Sequence, residues 1–391
     1  MEFETWWLLA LPLFFALGWL AARIDIKQLV SESRRLPHSY FKGLNFLLNE
    51  QPDKAIEAFT EVVKVEPETV DLHFALGNLF RRRGELERAI RMHQGVLDRE
   101  DLAPEQRLSA LHELAQDYLK AGLLDRAEEL FARLRGTALE QQGLRHLLDI
   151  YEQEKDWTKA IATSREMDPI IGRSSARDIA HFYCELAASE VVHSRFDTAR
   201  RYLDEALAVN RKCTRANIIL GDIETACDNP EAAIAAWKRV EIQNPAYLAQ
   251  LGDRLLAAHR RLGRAGEGLQ LLTGYLASYP SVDLLACVVT ETLEVRGVEA
   301  ARELLREELR RNPTLIGLNR LIELQIAEAP ADRRQDLELM RNLIQQHSRH
   351  LSLYRCDGCG FRARQFYWHC PACHGWETYQ PRRAEERELA A

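Results

Sequence analysis

No excess of positive charge marks this sequence: 52 Lys and Arg stand against 59 Asp and Glu, a formal net charge of -7. A chain so balanced is not a general nucleic-acid binder, although local basic patches stay open. It also lacks the short patterns that gather phosphate or acyl chemistry. There is no G-x-x-x-x-G-K-[ST] and no G-x-S-x-G, and His112-Glu113 is followed by Leu-Ala-Gln, so H-E-x-x-H is not completed. The glycines from Gly263 to Gly268 lie in a repeat turn with no strand before them, which excludes a phosphate loop. The 12 histidines are dispersed. Abundant Glu and Arg on helical stretches read as solvated ion-pair faces rather than acid–base pairs. Nothing here qualifies as a catalytic site.

Cysteine is scarce, eight in 391 residues, and half of it is concentrated in one place. Cys356-Asp-Gly-Cys359 and Cys370-Pro-Ala-Cys373 are two C-x-x-C pairs separated by ten residues. At that spacing each pair folds into a tight knuckle, and one ion joins the two through four thiolates. Zn²⁺ and Fe both accept four sulfurs. A closed thiolate shell leaves no coordination position for water or substrate, so the metal is structural or redox, not hydrolytic. Gly358 and Gly360 free the backbone around the first knuckle, and Pro371 stiffens the second. Tyr354, Phe361, Phe366, Tyr367, Trp368, Trp376 and Tyr379 give the segment an apolar coat. A unit of about 25 residues has too small a core to fold on its own, so metal binding contributes folding energy. Cys184, Cys213, Cys227 and Cys287 are scattered through helical sequence and read as buried thiols. This usage fits a reducing compartment.

Charge is absent from one further stretch, Thr5 to Ala22, which as a helix would reach about 27 Å, close to a bilayer's hydrocarbon thickness. Trp6, Trp7 and Trp19 sit near its ends, where indole prefers the interface. A signal peptide would carry basic residues before the run; here Glu2 and Glu4 precede it, and Arg23, Lys27, Arg34 and Arg35 follow. The expectation is a single-pass anchor over 1–22, with the N-terminus outside and the main body in the cytoplasm. Residues 23–35 form a basic juxtamembrane segment, for which contact with anionic headgroups and a plain solvated linker fit equally.

Between 36 and 350 the sequence repeats. Small residues recur at Ala55, Ala89, Ala127, Ala160, Ala199, Ala233, Gly268 and Ala301. Four positions beyond them stand Phe59, Phe131, Leu203, Trp237, Leu272 and Leu305, with His93 and Ser164 departing. Proline follows several units at Pro67, Pro245, Pro280 and Pro313, and Gly84, Gly122 and Gly263 fall between paired helices. This resembles the tetratricopeptide repeat, a helix–turn–helix unit of about 34 residues that stacks because none buries its apolar face alone. The steps from Ala89 to Ala127 and from Ala160 to Ala199 are longer than the others and imply insertions around 101–107 and 168–178. Residues 315–347 look like a partial repeat or cap. The expected fold is all-α: a tetratricopeptide superhelix with a transmembrane helix at its start. A small rubredoxin- or zinc-ribbon-like module over 351–380 and a polar tail over 381–391 follow. Asn78, Arg81, Asn217 and Arg254 are candidate partner contacts by position.

The order of parts, with the C-x-x-C-G-F … C-P-x-C residues Cys356, Cys359, Gly360, Phe361, Cys370, Pro371 and Cys373, resembles the lipopolysaccharide assembly protein B family of Gram-negative bacteria. The resemblance covers essentially the whole chain. It implies a non-enzymatic adaptor at the bacterial inner membrane. It further implies partners: a membrane-anchored AAA+ protease, the deacetylase that commits precursor to lipid A, and an inner-membrane regulator of lipopolysaccharide synthesis. It implies one Zn or Fe ion on Cys356, Cys359, Cys370 and Cys373, although the spacer between the knuckles is shorter than rubredoxin's. Two other classes compete. One is a redox or metal-sensing protein using an iron–thiolate site. The other is a nucleic-acid-binding ribbon, with Arg355, Arg362, Arg364, Arg382 and Arg383 around Phe366, Tyr367 and Trp368. Homo-oligomerisation stays open.

Overall fold

The computed structural model describes residues 38–49, 51–65, 69–349, 351 and 353–388, together with Phe15 and Trp19. The expected anchor and juxtamembrane segment otherwise lie outside the described residues. Among the described residues no helix is long and apolar enough to cross a membrane. The chain divides into two compact units, Met1–Glu154 and Lys155–Ala391.

The first unit holds seven helices among the described residues: α1 His38–Leu48, α2 Pro52–Val65, α3 Val70–Arg83, α4 Leu86–Leu97, α5 Pro104–Lys120, α6 Leu124–Ala132 and α7 Glu140–Glu154. The second continues with α8 Trp157–Ile171, α9 Ala176–Val192, α10 Phe196–Val209, α11 Thr214–Ala226 and α12 Pro230–Gln243. A 3-10 turn, Pro245–Gln250, leads into α13 Gly252–Arg261. Then come α14 Ala265–Ser278, α15 Val282–Arg296, α16 Val298–Arg311, α17 Leu315–Glu328 and α18 Ala331–Ser348. The fold is thus mostly helical and of tetratricopeptide type. Within the first unit α1–α2, α3–α4 and α5–α6 pack as helix A and helix B of a repeat, and within the second α9–α10, α11–α12, α13–α14, α15–α16 and α17–α18 do, the odd-numbered helix being helix A.

The repeating small residues sit where helices touch. Ala55, Ala89, Ala127, Ala160, Ala199, Ala233 and Ala301 are all fully buried. The side chain one turn later crosses to the preceding helix and, in several repeats, lands on a glycine there. A Cβ on Gly43 would fall 2.5 Å from the Phe59 ring, and Cβ atoms on Gly77 and Gly221 would overlap His93 and Trp237. Trp237 is buried, and its indole N–H donates to the Ile218 carbonyl at 3.1 Å, so its polar atom is satisfied.

His93, a departure from the expected pattern, fills the same position by different means. It is fully buried, with Nδ1 2.5 Å from Asp117 Oδ2, and Asp117 also accepts from Arg81 at 2.9 Å. A buried carboxylate is thereby matched by a guanidinium and an imidazole. Ser164 is buried without a hydrogen-bond partner for its hydroxyl. The expected turn glycines Gly84, Gly122 and Gly263 have φ of 83°, 74° and 72°, in the left-handed region that ends a helix.

Two expectations need correction. Of the four scattered cysteines only Cys184 and Cys213 are buried, their sulfurs 3.7 Å apart. Cys227 is exposed because it caps the end of α11, and Cys287, packed against the core beside Gly252, is only partly covered. Residues 381–388 are not a free polar tail. They complete a strand and a helical turn described below, because their backbone and carboxylates find partners.

The packing logic makes a paired prediction. Gly221→Ala lowers the thermal midpoint, at a cost of about 1–3 kcal/mol from overpacking against Trp237. Gly95→Ala, in open space on α4, raises stability by about 0.5–1 kcal/mol. Thermal denaturation of the two variants followed by circular dichroism checks both signs.

Candidate metal centre and its seat on the helices

The C-terminal module is a three-stranded antiparallel sheet of β1 Tyr354–Cys356, β2 Arg362–Ala363 and β3 Tyr379–Arg383, in the order β2-β1-β3, followed by the short helix α19 Ala384–Glu388. The strands are too few and short to stand alone. Their inner side packs Tyr354, Cys356, Cys370 and Tyr379 into a small cluster. The Tyr379 hydroxyl donates to the Phe361 carbonyl at 3.1 Å, which ties β3 to the loop after the first knuckle.

The four predicted ligands converge. The sulfurs of Cys356, Cys359, Cys370 and Cys373 all lie within 4.8 Å of one another. Cys356 to Cys373 and Cys359 to Cys370 are each 3.7 Å. A tetrahedron with metal–sulfur bonds of about 2.3 Å has edges of about 3.8 Å, so these separations fit one ion bound by four thiolates.

The backbone is shaped for that purpose. Amides of Gly358 and Cys359 point at the Cys356 sulfur, and amides of Ala372 and Cys373 point at Cys370. The two knuckles are therefore built alike. Each is followed by a left-handed residue, Gly360 at φ 77° and His374 at φ 55°. Burial pushes the Cys356 thiol up. Hydrogen bonds involving Thr378 and the two amides outweigh burial and bring it down to about 6. Cys370 is held above its ordinary range, first by burial and then by the neighbouring thiols. The Cys356 thiolate thus forms readily, while burial and hydrogen bonds with neighbouring thiols hold Cys359 and Cys370 up, an imbalance that a bound cation corrects. When bound, a Zn or Fe ion supplies four bonds that join the two knuckles.

The module is seated on the second unit, mostly near the starts of its helices and on the 3-10 turn. Trp376 is buried and stacks on His181 of α9, with ring centroids 5.0 Å apart. It also meets Phe182 and Trp157 edge-on at 5.9 and 6.1 Å. Trp368 stacks on Tyr247 of the 3-10 turn at 4.8 Å and 7°. The Arg215 guanidinium, at the start of α11, lies 5.8 Å from the centroids of both indoles. His181 Nε2 is 3.1 Å from Glu377 Oε1. Offset aromatic pairs add about 0.5–1.5 kcal/mol each beyond the area they bury.

Polar contacts continue the seat along α15 and α17. Asp283 accepts from the Tyr354 hydroxyl at 2.8 Å and from the Arg383 guanidinium at 3.0–3.2 Å. Burial, and then the Asp283 charge, push the Tyr354 phenol up. Glu386 accepts from the Val282 amide at 2.5 Å, and Glu385 accepts from the amides of Leu315 and, at 3.1 Å, Ile316. Two adjacent carboxylates thereby cap two successive A helices at their positive ends.

The candidate partner contacts fare differently. Arg81 is engaged by Asp117 and Glu113, and Asn78 accepts from Arg81. Asn217 is buried, and Arg254 pairs with Asp222 at 2.8 Å. Asn78, Arg81 and Arg254 thus have partners within the array, and Asn217 lies inside it. The seat residues His181, Arg215, Tyr247 and Asp283 escaped the sequence reading because they belong to four different repeats. The one available signal was an aromatic coat larger than so small a module can cover.

Comparison with known proteins agrees with this architecture. A family model described as the rubredoxin metal binding domain matches residues 354–381, and one described as the tetratricopeptide repeat matches 42–94, 112–169 and 184–247. The chain is similar to a lipopolysaccharide assembly protein B from Escherichia coli K12, 35% identical over 378 residues, spanning 95% of this chain and 97% of that one. It is similar also to the protein of the same name from Haemophilus influenzae, 30% identical over 390 residues, with the same shares covered.

Two outcomes are expected. Cobalt loading of metal-free protein yields thiolate-to-metal absorption at one ion per chain, and Cys370→Ser abolishes it. Trp376→Ala keeps the metal but opens residues 354–388 to limited proteolysis, because the largest contact with α8 and α9 is gone.

Proposed function

The chain belongs to the lipopolysaccharide assembly protein B family, and from that membership we propose that it is a membrane-tethered adaptor in lipopolysaccharide assembly that performs no chemistry itself. Its clients on this reading are a membrane-anchored AAA+ protease and the deacetylase that commits precursor to lipid A, with an inner-membrane regulator acting against it. The uncharged run from Thr5 to Ala22 supplies the anchor, and the helical body faces the cytoplasm. Confinement to the membrane plane raises the effective concentration of tethered partners.

The observation that carries the reading is the coupling of a closed thiolate shell to the helix array. Four sulfurs occupy all the positions of a tetrahedral ion, so no position is open to a substrate. Strand β1 carries Tyr354 beside Cys356, its partner β3 carries Arg383, and the two side chains hold Asp283. Metal binding on this reading sets the module's fold, and the module in turn braces the A helices that present the client surface.

Two strains test it together. Cys356→Ser/Cys359→Ser removes the metal, and Asp283→Ala loosens the seat while leaving all four thiolates. Both are expected to slow deacetylase turnover, followed by immunoblot after translation is blocked, while the protein stays in the membrane fraction. Normal turnover in the cysteine variant contradicts the adaptor reading. Normal turnover in the Asp283 variant alone separates the metal from the seat.

A further inference from the structure

The module's charges are segregated. Residues 354–387 contain four carboxylates, Asp357, Glu377, Glu385 and Glu386, and six arginines. All four carboxylates are occupied. Glu377 meets His181, Glu385 and Glu386 cap α17 and α15, and Asp357 pairs with Arg387. Arg383 is held by Asp283. That leaves Arg355, Arg362, Arg364 and Arg382, all exposed, and among the described residues no carboxylate lies within ion-pair distance of any of them.

Three of the four lie together. Strand alternation turns Arg355 outward between buried Tyr354 and Cys356. Arg382 lies elsewhere, in the cleft between β3 and the helices with Pro280, Ser281 and Asn312. Arg355 stands directly opposite Arg362 in the β1–β2 register. Like charges facing across neighbouring strands are destabilising unless an anion lies between them. Phe361, 40% exposed, flanks Arg362.

The geometry points to a cationic docking face on the outer side of this sheet, formed by Arg355, Arg362 and Arg364, that takes the phosphate headgroups of an anionic bilayer. Guanidinium groups match phosphate oxygens in pairs. The face is open and runs from β1 across β2 to the bend after it, which suits a layer of headgroups rather than one enclosed ion. Phe361 adds an aromatic ring of the kind that settles at a membrane interface. The chain as a whole is acidic, at -7, so approach to an anionic surface is repulsive except where such a face turns toward it. The inference rests on the tether reading above, since a chain anchored by residues 5–22 keeps the surface within reach.

The test uses full-length, metal-loaded protein in nanodiscs of phosphatidylcholine alone or with phosphatidylglycerol, and reads amide hydrogen exchange over 354–364. Exchange is expected to slow in the anionic discs, and the protection to fall about fivefold for each arginine neutralised in R355Q and R355Q/R362Q. The double variant should keep its metal and melt at or above the wild-type temperature in neutral discs, since it removes an opposed like-charge pair. That gain separates lost binding from lost folding. Equal exchange in the two kinds of disc overturns the proposal. So does equal protection by millimolar inorganic phosphate in neutral discs, which would make it a site for soluble anions. Failure of the protein to stay in neutral discs overturns the tether reading itself, a result read by flotation and not by exchange.

Discussion

Helices of this chain approach one another at alanine and glycine, and from that close approach the positions of nearly everything else follow. Ala199, Ala233 and Ala301 are buried to zero exposure because a larger side chain would hold the paired helices apart. The residue one turn later then reaches a glycine on the neighbouring helix, as Trp237 does at Gly221. In the repeats that make it, this contact sets helix A against helix B. In the second unit the seat of the metal module lies mostly near helix starts, and each such start is a set of unpaired amides with positive partial charge.

The module uses those amides. Val282 and Leu315 begin successive A helices, one repeat apart, and two consecutive glutamates satisfy them. Their caps are worth about 0.5–2 kcal/mol each by comparison with other helix caps. Aromatic residues serve the same end further back, where Trp376 and Trp368 meet His181 and Tyr247. A sheet of so few residues therefore draws on two external sources of order, an ion inside and a helix surface beneath. Each one supports the other: the ion fixes the strands that carry Tyr354 and Arg383, and Asp283 holds those strands in place.

Charge follows the same division. Three of the module's four carboxylates, Glu377, Glu385 and Glu386, turn toward the helices, where amides and cations await them; Asp357 pairs with Arg387, and the spare guanidiniums are left outside. An acidic chain in this way acquires one locally basic side. In the first unit the same matching of buried charge appears in another form. His93 replaces an apolar side chain at a repeat contact, and Asp117 and Arg81 make its burial tolerable.

Local chemistry alone determined a good part of this protein. The spacing of the four cysteines determined the ligand set, because two C-x-x-C knuckles reach one ion whatever surrounds them. The recurrence of small and large residues determined the helical repeat, because that contact is made within a unit of about 34 residues. Left-handed turns at Gly84, Gly122 and Gly263 were equally legible, since only the local backbone is involved. Tertiary structure decided where the module sits and what its last residues do. Glu385 and Glu386 read as a polar tail because their partners, the amides of Leu315 and Val282, are 70 and 104 positions away. Arg81 and Arg254 looked available by position and are engaged by Asp117 and Asp222, 36 and 32 positions distant, pairings that exist only once helices stack. Side chains that act within a turn or a knuckle announce themselves in order along the chain. Those that act between repeats do not, because their geometry is set by the stacking and not by their neighbours in sequence.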